Sequence, residues 1–150
     1  MKTKYNEELT FNIRLNALFL LLIVIIGILI FANFGLSLTD TTAFFVAVEL
    51  FLLIIFWNFR KLKILITDDF LEFGFGIFKK RFPKKDITSC KPFEVRFGQY
   101  FGIGIRWGFN NTVLYNTRFG KAVRIKVRNH KRDFVVTTNY PKKFCNALRK

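Results

Sequence analysis

Cationic side chains are the residues of this chain with the most evident binding chemistry, and they gather in its second part. Residues 1–59 carry three Lys or Arg against four acids, whereas residues 60–150 carry 22 against six. Two groups stand out, namely Lys79, Lys80, Arg81, Lys84 and Lys85, and then Arg124, Lys126 and Arg128. Because each Lys or Arg near an anionic lipid surface contributes about 1 kcal/mol of attraction, these residues predict a site for lipid headgroups.

Other roles for these cations stay open. A solvated basic face would keep a domain rich in Phe soluble, and an acidic protein partner would meet the same charges. Nucleic acid is the weakest interpretation, because basic and aromatic residues interleaved as in residues 78–82 are equally expected of amphipathic strands.

Residues for catalysis, metal binding or a cofactor are sparse. A general acid–base or nucleophilic site needs converging His, Cys, Ser or carboxylate groups, and the sole His, His130, falls in a predicted hairpin turn exposed to solvent. Cys90 and Cys145 lack the paired spacing of a zinc site, and we expect two reduced thiols in a core. Gly102 and Gly104 do not form a dinucleotide fingerprint. The sequence therefore predicts no catalytic residue, no metal and no cofactor.

Glu49 is the one ionisable residue inside a long apolar run. An acidic side chain deep in a membrane span costs on the order of 3 kcal/mol, so it needs a partner, a proton or an oligomer interface. Ala43 and Ala47, four residues apart, would let another helix approach closely. We expect Glu49 to contact a partner inside the membrane, and the alternative is a carboxyl near the interface of a slightly shifted span.

Two apolar runs, residues 15–39 and 41–59, precede the basic part. A hydrocarbon core about 30 Å thick is crossed by roughly 20 apolar helical residues, so each run predicts one transmembrane helix, over about residues 15–36 and 41–59. Residues 35–40 leave room only for a tight reversal. Residues 1–59 are thus predicted to form a two-helix transmembrane hairpin.

The flanking charges predict the orientation of this hairpin, because Lys and Arg beside membrane segments stay on the cytoplasmic side. The cations at its two ends are Lys2, Lys4 and Arg14, and Arg60, Lys61 and Lys63. We therefore expect a multi-pass protein of the bacterial inner membrane with both termini cytoplasmic. A cleaved signal peptide is the competing interpretation, but the first run is too long and Glu7 and Glu8 lie in the leader.

Two-residue alternation of apolar and polar side chains dominates residues 60–150 and predicts strands. Leu62, Ile64 and Ile66, for example, fall on one face of the first strand. The predicted strands cover residues 61–66, 70–75, 77–82, 87–95, 112–117, 123–128 and 134–138. Pro141 fits the first turn of a short final helix. We expect Trp107 to fill the core of this domain, and the alternative is a ligand-facing edge beside the loop 97–111.

Several of these segments resemble the bacterial pleckstrin-homology-like domains that are attached to membrane hairpins. Residues 71–74 to 82–87 resemble the second and third strands of that family with their connecting element. Residues 102–107, Gly-Ile-Gly-Ile-Arg-Trp, resemble its glycine-rich segment. Residues 123–128 with 134–138 resemble its final hairpin, and residues 139–141 resemble the start of its closing helix.

The resemblance covers about residues 60–150 and implies a bent antiparallel β sandwich or partly open barrel, capped by a helix, that serves as a platform for lipids, peptides or proteins. Eukaryotic relatives bind phosphoinositides through basic residues around the first turn. Asp68 and Asp69 occupy that turn here, so the inositol phosphate pocket is not carried over.

The predicted fold class is an α+β membrane protein, with the hairpin at residues 1–59 and a cytoplasmic pleckstrin-homology-like domain of about seven strands and a short C-terminal helix at residues 60–150. We expect a non-catalytic protein that binds or scaffolds at the inner leaflet, through anionic lipid, self-association as a homo-oligomer, or both. The alternative is a small accessory subunit of a transporter or envelope complex, recognised through its spans and Glu49.

Overall fold

The computed structural model describes residues 2–11, 13–34, 40–100, 102–108 and 111–149, without the side chains of residues 13–15, 33–34 and 40–42. Within these residues it has nine strands and three α-helices. In chain order they are β1 (Thr3–Thr10), α1 (Ile13–Phe34), α2 (Asp40–Phe59), β2 (Lys61–Thr67), β3 (Phe70–Phe75), β4 (Phe78–Pro83), β5 (Ile87–Val95), β6 (Gly104–Gly108), β7 (Thr112–Asn116), β8 (Gly120–Val127), β9 (Asp133–Thr137) and α3 (Pro141–Arg149). The predicted reversal at residues 35–40 lies, apart from Asp40, outside the described residues.

The first sheet has the strand order β1–β2–β3–β4, and all of its neighbouring strands are antiparallel. The alternation in β2 explains how this sheet buries one face. Leu62, Ile64 and Ile66 have no exposed surface, and each pairs with an apolar residue of β3. The core therefore lies against this face of the sheet.

The second sheet has the order β5–β8–β9–β7–β6. β7 and β9 are parallel, and its other neighbours are antiparallel. Parallel neighbours need a crossover connection, which β8 supplies by lying on the far side of β9. Along β8, Val123 and Ile125 are fully buried while Lys126 is exposed, as two-residue alternation predicts.

The two sheets and α3 share one hydrophobic core. Phe73 of β3 meets Tyr115 of β7 edge-on, with ring centroids 5.1 Å apart, and meets Phe134 of β9 at 5.8 Å. Phe144 of α3 is fully buried in the same cluster. Burying one such side chain contributes about 1.5–3 kcal/mol, so contact between the two sheets is a major source of stability.

The chain begins with a strand, where the sequence predicted a leader to a helical hairpin. Leu9 of β1 is buried opposite Leu62 of β2, and the Tyr5 ring lies 5.6 Å from that of Phe144. β1 therefore belongs to the same core as the later strands. Glycine-rich β6 is the second strand that the alternation did not reveal.

The predicted fold class, a transmembrane hairpin followed by a sandwich or barrel of about seven strands, is wrong. The fold consists of a four-stranded and a five-stranded sheet with three α-helices. The positions of the individual predicted strands nevertheless coincide with β2–β5 and β7–β9 to within three residues. The alternation located strands correctly but did not show how many sheets they form.

The helices α1 and α2 cover the two apolar runs and pack against each other, with the Phe19 and Phe56 rings stacked 6.1 Å apart. Among the described residues, no helix is long and apolar enough to cross a membrane. This finding contradicts the predicted spans at residues 15–36 and 41–59, and with them the predicted multi-pass inner-membrane location.

Cys90 of β5 and Cys145 of α3 form a disulfide, so the prediction of two reduced thiols is wrong. Their Cα atoms are 5.5 Å apart, within the range that a disulfide requires. The bond joins residues 55 positions apart. A disulfide that closes a loop of this kind typically stabilises the folded protein by about 2–4 kcal/mol. The disulfide fixes α3 to the edge strand of the second sheet.

Candidate anion-binding cleft

The predicted cationic cluster at residues 79–85 is divided between two faces of the first sheet. Lys79 and Arg81 of β4 point outward, and their nitrogens lie 3.5 and 3.7 Å from the Glu72 carboxylate of β3. Arg81 also lies over the Phe70 ring, 3.5 Å from its centroid. Both cations therefore already have partners within the protein.

Lys84 and Lys85 follow β4 in a single 3-10 turn. The Lys84 amine donates a hydrogen bond to the Ala147 carbonyl in α3 at 2.9 Å. Burial, together with the nearby charge of Lys4, lowers the pKa of the Lys84 amine. Lys84 therefore anchors the last turn of α3, whereas Lys85 is exposed.

The second predicted group lies on the outer face of β8. Arg124 donates to the Asp133 carboxylate at 2.7 Å, while Lys126 and Arg128 are exposed. The Arg128 backbone N–H donates to the Asp86 carbonyl at 2.6 Å. This bond brings the end of β8 beside the turn that carries Lys85.

Lys80 lies on the opposite face of β4 from its two neighbours and reaches a cleft between the sheets. This cleft has a volume of about 410 Å³ and lies between β4, β6, β7 and the β8–β9 turn. We call it the basic cleft, and its lining residues are Lys80, Ile105, Trp107, Val113, Tyr115, His130, Lys131, Arg132 and Phe134. One predicted site residue therefore shares this cleft with six polar or aromatic residues of other elements.

Three cations of the basic cleft have no acidic partner. Within the part of the chain that the structure describes, no ion pair includes Lys80, Lys131 or Arg132, and all three are exposed. Arg presents a planar fork that matches phosphate or carboxylate, and Lys adds a point charge. The cleft is therefore chemically suited to an anion.

Backbone contacts hold the β8–β9 turn that carries two of these cations. Asn129 has a φ of 63°, a left-handed conformation in which Asn is enriched. The Asn111 side chain donates to the Lys131 carbonyl, and the Asp133 N–H donates to the Asn111 carbonyl at 3.1 Å. The turn is thereby fixed to the start of β7, and its cations keep their place at the cleft.

Aromatic side chains form the rest of the basic cleft. Trp107 is 75% exposed, so the prediction that it fills the core is wrong and it lies instead at an open edge. His130 is in an exposed turn as predicted, and its ring packs edge-on against Phe82 and Phe134 at 5.1 and 5.6 Å. Burial raises the pKa of the Tyr115 phenol.

Glu49 of α2 faces α1, where a Cβ on Gly27 would lie 3.4 Å from one carboxylate oxygen of Glu49. Its other oxygen, Oε2, is buried and has no hydrogen-bond partner among the described residues. Glycine allows the carboxylate to lie against the backbone of the neighbouring helix. Glu49 is thus part of the contact between the two helices and retains an unused acceptor.

The helices α1 and α2 also expose many large apolar side chains. Leu18 and Phe31 of α1, and Phe44 and Ile54 of α2, are each at least 60% exposed. An apolar surface of this kind marks a place of contact with other apolar groups. The helix pair is therefore a second candidate for recognition.

Sequence reasoning missed Lys131 and Arg132, which lie next to His130 in the turn. The signal was the concentration of four basic or His residues in a short polar segment, residues 128–132, which was interpreted only as a solvated turn. Within the described residues no group of three or more His, Cys, Asp or Glu is placed to hold a metal ion.

No family model, curated protein or solved structure matches this chain. The resemblance to pleckstrin-homology-like domains therefore stays a prediction.

Proposed function

We propose that this chain is a non-catalytic binding protein whose basic cleft takes the anionic headgroup of a lipid at a bilayer surface. The observation that carries the proposal is the set of three exposed cations without acidic partners, Lys80, Lys131 and Arg132, around the exposed Trp107. Each cation near an anionic surface contributes about 1 kcal/mol.

The exposed Trp107 favours a lipid surface over a free anion in water. Trp is enriched where one end of the side chain meets apolar groups and the other meets water, as at a membrane interface. Trp107 extends from β6 beside the three cations, so its ring would meet the acyl region while the cations meet the headgroups. The exposed Lys85 and Arg128 near the start of the same turn would add to the attraction.

The test is sedimentation of the full chain with lipid vesicles. The chain should sediment with vesicles that contain anionic phosphatidylglycerol, and much less with vesicles of phosphatidylcholine alone. The triple variant Lys80→Glu, Lys131→Glu, Arg132→Glu should lose the difference between the two vesicle types, because it replaces the attraction of all three cations with repulsion.

A matched control has the same change of net charge elsewhere, with Lys121→Glu, Lys142→Glu and Lys143→Glu near the start of α3. These three residues line a different surface, so the control should keep the preference for anionic vesicles. Equal losses in both variants would show a diffuse effect of net charge and would contradict the cleft. Displacement of vesicles by a short oligonucleotide at low concentration would favour nucleic acid instead.

A second candidate function is recognition of a partner protein through the helix pair. The unused Oε2 of Glu49 and the exposed apolar surfaces of α1 and α2 favour it. A partner that donates one hydrogen bond to Glu49 while covering the apolar surface would satisfy both.

The test of this candidate is co-purification of the full chain from its own cells. Glu49→Gln keeps the size of the side chain and should reduce recovery of a stoichiometric partner, whereas Glu94→Gln on β5 should not. Unchanged recovery with Glu49→Gln would show that the carboxylate does not take part.

A further inference from the structure

A second cleft lies on the other side of β6, where the ends of the helix pair meet the second sheet. Its volume is about 450 Å³, within the range of small-molecule sites. We call it the apolar cleft, and its lining residues are Phe11, Asn16, Phe19, Ile55, Phe56, Phe59, Ile103, Gly104, Ile105 and Arg106. Seven of these ten residues have purely hydrocarbon side chains, so the walls suit an alkyl chain.

Arg106 is the one charged residue of this cleft, and it has no acidic partner among the described residues. Its guanidinium lies against Gly102, where an added Cβ would come within 3.1 Å of a guanidinium nitrogen. Gly102 has a φ of 89°, a conformation that glycine adopts readily. The glycine-rich segment therefore makes room for a cation at the cleft.

Asn16 adds a polar group to the same cleft. Its side-chain amide donates to the Phe11 carbonyl at 3.4 Å, but its Oδ1 is buried and has no partner among the described residues. An unpaired buried acceptor is costly, and a hydroxyl group of a ligand would satisfy it. Apolar walls, one free guanidinium and one unpaired acceptor thus lie within a single cleft.

We propose that the apolar cleft binds a single-chain anionic amphiphile, with its alkyl chain between the helix ends and β6 and its carboxylate or phosphate on Arg106. An anionic head group is complementary to the unpaired guanidinium of Arg106, so the cleft should prefer an anionic amphiphile to a neutral one. The site is independent of the basic cleft, because its cation and most of its walls come from other residues.

The probe is cis-parinarate, a fluorescent fatty acid, bound to the full chain below its critical micelle concentration. Dodecanoate, dodecyl phosphate and the neutral dodecanol are then compared as competitors. Both anions should compete at least about tenfold better than the alcohol. The alcohol hydroxyl can donate to Asn16 Oδ1, but it lacks the charge that the Arg106 guanidinium would bind, and a hydrogen bond to a charged group is worth more than a neutral one. The ratio between the two anions distinguishes a fatty acid from a phosphate-bearing lipid, and a further gain with lysophosphatidate would reflect its hydroxyl on Asn16.

Arg106→Glu should remove the preference for anions, while Arg96→Glu, which makes the same charge change on an exposed residue outside the cleft, should keep it. Ile103→Trp should block the cleft, while Ile77→Trp places the same bulk on a turn where Ile77 is 83% exposed. Equal competition by alcohol and anions, or equal behaviour of Arg106→Glu and Arg96→Glu, would overturn the proposal. If Ile103→Trp does not fold, the comparison of the two arginine variants still decides.

Loss of amphiphile binding in Arg106→Glu with unchanged vesicle sedimentation is the expected pattern. The charge-reversal variant of the basic cleft should show the opposite pattern. Failure of one proposal is therefore distinguishable from failure of the other.

Discussion

The basic cleft and the apolar cleft share Ile105 of β6 but offer a ligand different chemistry. The basic cleft combines three unpaired cations with an exposed Trp, so its attraction is mainly electrostatic and acts over a distance. Among the described residues the apolar cleft has one cation, so its attraction is mainly burial of hydrocarbon and acts only on contact. The comparison shows that a short edge strand can border two sites, because it lies both at the seam between the sheets and at the end of the helix pair.

Removing part of the core that supports both clefts should have the largest effect. Phe73→Ala should lower the free energy of unfolding by about 3–5 kcal/mol, because Phe73 is fully buried between the two sheets. Chemical denaturation measures the loss, and both binding assays should weaken together. Phe97→Ala is the matched control, since Phe97 is 67% exposed, and a comparable loss there would contradict this account of the core.

Removing the disulfide tests whether stability and binding are separable. Replacing Cys90 and Cys145 with Ser should lower the free energy of unfolding by about 2–4 kcal/mol, and both clefts should bind as before because no residue of α3 lines either one. Thermal unfolding with and without reductant measures the effect. The variant itself should be insensitive to reductant, and a change in either binding assay would mean that α3 shapes the clefts.

The dependence of binding on salt concentration should distinguish the two clefts most directly. Between 0.1 M and 1 M salt the Debye length falls from about 10 Å to about 3 Å, so vesicle binding through three cations should weaken by up to about a hundredfold. Binding of dodecanol in the apolar cleft has no charge term and should not weaken. Titrations at several salt concentrations decide, and equal slopes for the two ligands would remove the distinction between the clefts.

Loss of a single exposed ion pair of β1 in acid should have the smallest effect. The hydrogen bond from Lys63, at 2.9 Å, holds the pKa of Glu8 below its ordinary value. This pair therefore stabilises the fold above that ordinary value, and the contribution is lost as the pH falls through the lowered pKa. For an exposed pair we expect less than about 1 kcal/mol.

Glu8 lies on β1 shortly before Phe11, so loosening there should reach the apolar cleft and not the basic one. Unfolding and the binding of dodecanol, which does not titrate in this range, measured from neutral to acid pH give the effect. The variant Glu8→Gln lacks the ionisable group and should show a flatter dependence on pH. Identical profiles for the two proteins would assign the acid sensitivity to other carboxylates.

The alternation of apolar and polar residues predicted most strands because such strands have one face toward the core and one face outward. Leu62, Ile64 and Ile66 face the core while the residues between them face outward, and the sequence alone shows this. The strand β1 was not predicted because Glu7, a charged residue, occupies an inward position between Tyr5 and Leu9. The Glu7 carboxylate is satisfied there by the Tyr5 and Thr138 hydroxyls, both at 2.5 Å, and Thr138 lies far away in the sequence.

The candidate site was predicted less well than the strands, since it depends on which residues of separate elements meet. Lys80 was identified with its neighbours, but the charge density along the chain did not show that Lys79 and Arg81 are paired with Glu72. Trp107 was expected in the core because large aromatic residues usually bury most of their surface. The apolar runs were interpreted from length and hydropathy, which contain no information about β1 or about the clefts at the helix ends.

The helix pair is inserted between two adjacent, hydrogen-bonded strands. Thr10 of β1 pairs with Lys61 of β2, and the Phe11 N–H donates to the Arg60 carbonyl at 3.5 Å, so the chain leaves and rejoins the sheet at neighbouring positions. The pair is consequently connected to the first sheet at two neighbouring points, one on β1 and one on β2. A partner bound to the two helices would therefore influence the direction in which both clefts face.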